Sequence, residues 1–171
     1  MSRKWVRRGL IAGAALGLFA AGPAASATSV AQDITGPGNH AVIEPDETAA
    51  VLKRANQLCE QLFSYDYTTI DQLKERVDEL TVGKATEQLD ELFGAVEAQV
   101  ISGQAVLRST VAESAVRYLA KDDAQVLVYL DQTSTSSTSG KEIESGGMLL
   151  TSLRRVDGEW LLSDVDTFGE K

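Results

Sequence analysis

The sequence predicts an α+β domain in which three helices precede an antiparallel meander of about four strands. Three observations predict it. Apolar residues recur at helical spacing from Val51 to Val100. From Ala105 onward the period changes to two, and β-branched residues dominate. Near the C-terminus, Asp157-Gly158 separates two apolar runs by a two-residue hairpin signal.

Pro45 and Asp46 open the first helix, which carries Val51, Ala55, Leu58 and Leu62 on one stripe, widened by Leu52, Cys59 and Phe63. Ser64-Tyr65-Asp66-Tyr67 interrupts the pattern. A second helix is expected over 69–80, with Ile70, Leu73, Val77 and Leu80 in register. A third is expected over 85–102, carried by Leu89, Leu92, Phe93, Val96 and Val100 and stopped at Gly103.

Strands are expected over 105–119, 124–131, 148–156 and 159–166. The second of these is apolar on both faces, as a central strand should be. The Ser/Thr/Gly-rich stretch 133–147 reads as a long exposed loop. A two-residue turn at Asp157-Gly158 sets Arg155 against Trp160, Leu153 against Leu162 and Thr151 against Asp164. On the other face it sets Arg154 against Leu161 and Leu150 against Val165. Arg155 over Trp160 is then a cation–π contact, and Trp160 reads as a structural clamp ahead of a ligand platform.

The chain is organised as an export signal over 1–27, a flexible linker over 28–44 and the folded domain over 45–171. Arg3, Lys4, Arg7 and Arg8 precede a charge-free apolar run ending at Gly22, and Ala25-Ser26-Ala27 supplies a cleavage site after Pro23. The charge-free stretch from Gly9 to Ala27 approaches the ~20 residues of a membrane span, so an uncleaved anchor is the competing reading. Both place the domain beyond the cytoplasmic membrane. The Arg7-Arg8 pair leaves the Sec and twin-arginine routes open.

Removing 1–27 takes four of the 16 Lys+Arg and none of the 25 Asp+Glu, so the net charge moves from −9 to −13. Such a surface repels phosphate backbones, which argues against nucleic-acid binding. Cys59 is the only cysteine, so no internal disulfide can form, and its setting between apolar residues reads as a small buried side chain. His40 is the only histidine and lies in the linker. The domain therefore lacks the parts for a Ser–His or Cys–His nucleophile or for a His/Cys metal site. No cofactor and no catalytic residue is expected.

The remaining chemistry rests on carboxylates and tyrosines. Tyr65-Asp66-Tyr67 is the most pointed constellation: an Asp in an apolar cone can act as a base and a Tyr can donate to an oxyanion. Tyr118, Tyr129 and Asp131 could line the same pocket. The plainer reading has Asp66 capping the second helix and the tyrosines packing at its corner. The acids Asp71, Glu75, Asp78, Glu79, Glu87, Asp90 and Glu91 are expected on solvated faces.

Three blocks carry a family resemblance. Leu62-Phe63-Ser64-Tyr65-Asp66-Tyr67, the strand Val126 to Thr133 and the hairpin Leu153 to Val165 resemble, in order, motifs of the Mce-associated membrane proteins of actinobacteria. Thr81-Val82-Gly83 sits at that family's break between helices, and the resemblance spans about residues 48–166. It implies an NTF2-like (cystatin-like, SnoaL-like) cone and a non-enzymatic accessory role beside Mce lipid and sterol importers. The implied partners are Mce components or other envelope proteins, with a homodimer also open. The cleavable N-terminus departs from the anchored family pattern. The alternative is an exported small-molecule binder or isomerase using the cone, with Asp66 or Asp131 as base.

Overall fold

A computed structural model describes Asn39 and residues 44–168. The expected export signal, His40 and nearly all of the expected linker lie outside the described residues.

Helix α1 spans Pro45–Leu62. Proline at its first turn has no N–H to leave unpaired, and Asp46 and Glu47 there complement the helix dipole. Its buried stripe is Val51, Ala55, Leu58, Cys59 and Leu62. Helix α2 spans Asp71–Leu80 and buries Leu73 and Val77. Helix α3 spans Lys84–Gly103 and buries Ala85, Leu89, Phe93, Val96 and Val100. It ends with Gln104 in the left-handed conformation at φ 44°, one residue beyond the expected Gly103 stop.

The strands are β1 (Tyr65–Asp66), β2 (Ala105–Leu119), β3 (Asp123–Ser136), β4 (Lys141–Val156) and β5 (Glu159–Asp166). They form one antiparallel sheet in sequential order, with β3 central. Five strands replace the expected four. The extra one is the Tyr65-Asp66 interruption, which pairs with Leu107 and Val106 at the edge.

The largest correction concerns 133–147. It is not a long loop: β3 and β4 stay paired out to Ser136 and Lys141. Threonine and serine suit an exposed ladder, and the end of α3 holds the tip. Ser136 Oγ and Thr138 Oγ1 both donate to the Gly103 carbonyl, and Ser137 N–H donates to the Gln104 carbonyl.

The last hairpin turns as expected, with Asp157 at φ 52° and Gly158 at φ 88°. Arg155 faces Trp160 and Leu153 faces Leu162. Beyond that pair a bulge shifts the register, so Thr151 faces Val165, Ser152 faces Asp164 and Leu150 faces Asp166, contrary to the expected pairs. The shift turns apolar Val165 into the core and leaves Asp164 at the surface.

The helices pack on one sheet face. Val126, Val128, Leu130, Leu149, Leu153 and Leu162 fill that inner face against Leu58, Leu62, Phe63 and Leu89. Side chains on β2 and backbone contacts on β5 cover the sheet edges. Asn39 accepts from Leu119 N–H and donates to the Arg117 carbonyl on β2. Further along β2, Ser64 Oγ accepts from Ser109 N–H and Glu60 Oε1 from Val111 N–H. On β5, Thr81 bridges Leu162, and Val82 N–H donates to the Leu162 carbonyl. Covered edges resist pairing with another chain.

Candidate functional site

The structure does not assemble the tyrosine–aspartate pocket that stood as the alternative to plain packing. Tyr65 is buried in β1, where burial pushes its phenol pKa up. Asp66 accepts hydrogen bonds from Thr68 N–H at 2.9 Å and Thr68 Oγ1 at 2.7 Å. These bonds, with the Arg108 charge nearby, hold its carboxyl below the usual range. That is the reverse of what a base in an apolar cone requires. Asp66 does not cap α2 either: it closes a local turn, and the α2 N-cap, Ile70, makes no side-chain cap bond. Tyr67 packs at the margin of the core.

Tyr118, Tyr129 and Asp131 lie on the sheet's other face. Val128, Leu130 and Gln132 take the inward positions of β3, and strict alternation sends Tyr129 and Asp131 outward. Trp160 is a core clamp, as expected. The Arg155 guanidinium sits 4.4 Å from its ring centroid, and Arg54 Nε donates to its carbonyl at 3.0 Å. Glu47 pairs with Arg155 from α1.

Cys59 is fully buried, and desolvation, with a smaller contribution from the Glu60 charge, pushes its thiol up to about 12. It is a packing residue, as expected. Among the described residues, no three His, Cys, Asp or Glu side chains are grouped to hold a metal ion.

Two surfaces remain. The first is the helix-free face of the sheet. Leu127, Met148 and Leu150 are half-buried there, and Tyr129 is 45% exposed between Glu113 on β2 and Met148 on β4. One row further along, Tyr118, Gln125, Ser152 and Asp164 face one another across four strands. They floor a cleft of about 410 Å³ flanked by two ion pairs, Lys84–Asp164 at 2.9 Å and Arg154–Asp123 at 3.3 Å. The second surface is a groove of about 310 Å³ between α2 and α3, lined by Ile70, Asp71, Leu73, Lys74, Asp90, Phe93, Gly94 and Glu97. Sequence reasoning missed it. The available signal was Gly94, a glycine in the middle of a helical stripe.

No protein-family model matches the chain. It is 31% identical over 104 residues to the uncharacterized protein Rv1362c of Mycobacterium tuberculosis, covering 60% of this chain and 47% of that protein. The chain thus spans about half the length of the curated relatives it matches. Among solved structures it is similar to an IcmL-like type IV secretion system protein of Legionella pneumophila (TM-score 0.60, 12% identity, 69% of this chain and 89% of that one). CagV of Helicobacter pylori, a VirB8 homologue, is similar at TM-score 0.57 and 9% identity, over 69% of this chain and 95% of that one. The periplasmic domain of DotI gives TM-score 0.55 and 16% identity, over 69% and 92%. These likenesses establish an NTF2-like fold of helices on a curled antiparallel sheet.

No helix among the described residues is long and apolar enough to cross a membrane.

Proposed function

We propose that this chain is a non-enzymatic accessory protein of the cell envelope, binding a protein partner through the helix-free face of its sheet. The observation that carries this is the Tyr129 patch, with Leu127, Met148 and Leu150 on a face that no element of the described domain covers. Apolar and aromatic side chains gathered on one open face suit a protein contact. The export signal read in residues 1–27 supports an envelope location, as does a fold shared with domains of envelope secretion systems. The finer reading is that the partner belongs to an Mce-type lipid or sterol importer. Its support is the three sequence blocks alone.

The isomerase alternative has less support. The two carboxylates it names lie outside the filled inner face, and Asp66 is held in its charged form.

The test is a photo-crosslinking residue at position 129 in a tagged full-length copy expressed in cells, with partners read by mass spectrometry. Mce subunits or their permease at that position bear out the finer reading. A different envelope protein keeps the accessory role and removes the Mce link. No specific crosslink from intact, well-expressed protein overturns the sheet-face reading.

A further inference from the structure

The groove between α2 and α3 lies on the helical side of the domain and has no part in the sheet-face reading. Its floor is apolar: Ile70 and Leu73 from the start of α2, and Phe93 from the middle of α3. Its rim is acidic. Asp90, Phe93, Gly94 and Glu97 form one stripe of α3, spaced three and four residues apart. Asp71 adds a third carboxylate from the α2 side, and among the described residues Lys74 is the only cation lining the groove.

Gly94 belongs to the α3 wall of the groove. A Cβ built there meets nothing within 4 Å. Helix interiors favour alanine over glycine because glycine loses more backbone freedom on folding. Nothing in the packing of α3 requires glycine at this exposed position, and the missing side chain leaves a notch in the groove wall.

We infer that this groove binds an amphipathic helical segment of a partner protein that carries lysine or arginine beside an apolar anchor. The anchor seats over Gly94 against Phe93 and Ile70, and the basic side chains meet Asp71, Asp90 and Glu97. Charge complementarity selects this occupant. Three carboxylates against one lysine attract a basic segment and repel anionic lipid headgroups.

The probe is a synthetic Leu/Lys peptide patterned as an amphipathic helix, with a scrambled peptide of the same composition as control. Both are titrated against the mature protein by calorimetry and by amide chemical shifts. The expected result is micromolar binding of the patterned peptide, at least about tenfold tighter than the scrambled one, with shifts confined to the groove residues. Gly94→Leu should fill the notch and bring the patterned peptide down to the scrambled level. Gly94→Ala should raise the thermal midpoint by a few degrees while weakening the peptide. Gain of stability with loss of binding is a combination that a merely structural glycine does not produce. Asp90→Asn with Glu97→Gln should weaken binding and flatten its salt dependence, and these exposed changes leave the fold intact if Gly94→Leu does not. Equal binding of the two peptides, unchanged binding to Gly94→Leu, or shifts centred elsewhere would each overturn the inference.

Discussion

Gln88 on α3 binds both backbone groups of Val165 on β5: its Nε2 donates to the Val165 carbonyl at 3.0 Å, and its Oε1 accepts from Val165 N–H at 3.1 Å. One side-chain amide thus stands in for a neighbouring strand and ties α3 to the sheet edge. Gln88→Ala should cost about 1–2 kcal/mol in urea unfolding, since it strands a donor and an acceptor. Gln88→Glu should cost at least as much near neutral pH, because a carboxylate cannot donate to the Val165 carbonyl. Unfolding midpoints for both variants equal to the parent's would remove the clamp.

A second polar device joins α1 to the sheet. Ser109 Oγ donates to the Phe63 carbonyl at the end of α1 and accepts from Gln132 Nε2 at 2.8 Å, and Ser109 and Gln132 are both buried. Ser109→Ala should destabilise by about 2–3 kcal/mol, because it leaves two buried partners unmet. Adding Gln132→Leu should cost less than the sum of the two single changes, since it also removes the stranded amide. Strictly additive costs in a double-mutant cycle would show that the two residues act separately.

These ties explain what was legible in the sequence and what was not. Helix and strand identities were legible wherever one face is apolar: the α1 stripe Val51, Ala55, Leu58 and Leu62 needs only local periodicity. The Asp157-Gly158 turn fixed the first pairs of its hairpin for the same local reason. The register beyond Leu153 was not legible, because Ser163-Asp164 is polar throughout and shows no face that a one-residue bulge would violate. The β3–β4 tip was read as a loop because the Gly103 and Gln104 carbonyls that hold it lie about 30 residues away in the chain. The phase of Tyr129 and Asp131 was partly legible: they share their side of β3 with Asp123 and Gln125, whereas Ala124, Val126, Val128 and Leu130 take the other. The α2–α3 groove depends on how two helices sit together, which no single-segment pattern encodes.

Arg155 links the last hairpin to α1 through Trp160 below it and Glu47 beside it. Arg155→Met keeps the aliphatic stem and removes the charge. It should cost about 1 kcal/mol, the range of a partly exposed cation–π contact with a surface ion pair. Trp160 is the only tryptophan after residue 27, so its emission reports the change directly in a variant made without residues 1–27. A red shift in the folded variant is expected as water reaches the uncovered ring face. Unchanged emission and stability would show that the stacking contributes nothing.

Cys59 gives the fold a pH dependence of definite sign. Burial raises its thiol from 9.0 to about 12, so the folded state keeps a proton that the unfolded chain releases at lower pH. Stability rises with pH only where the unfolded state binds more protons. Here it binds fewer between the two values. The Cys59 contribution is therefore fully present below about pH 9 and is lost as pH rises toward about 12. Cys59→Val removes the titration and should flatten the alkaline fall in unfolding free energy, at a packing cost near neutral pH set by the volume change. The same burial makes the thiolate scarce and inaccessible in the native state. Alkylation by iodoacetamide at pH 8 should then proceed only at the rate of unfolding and accelerate sharply in urea. Rapid labelling of the native protein would mean that α1 opens locally at Cys59, and the alkaline slope should then be absent as well.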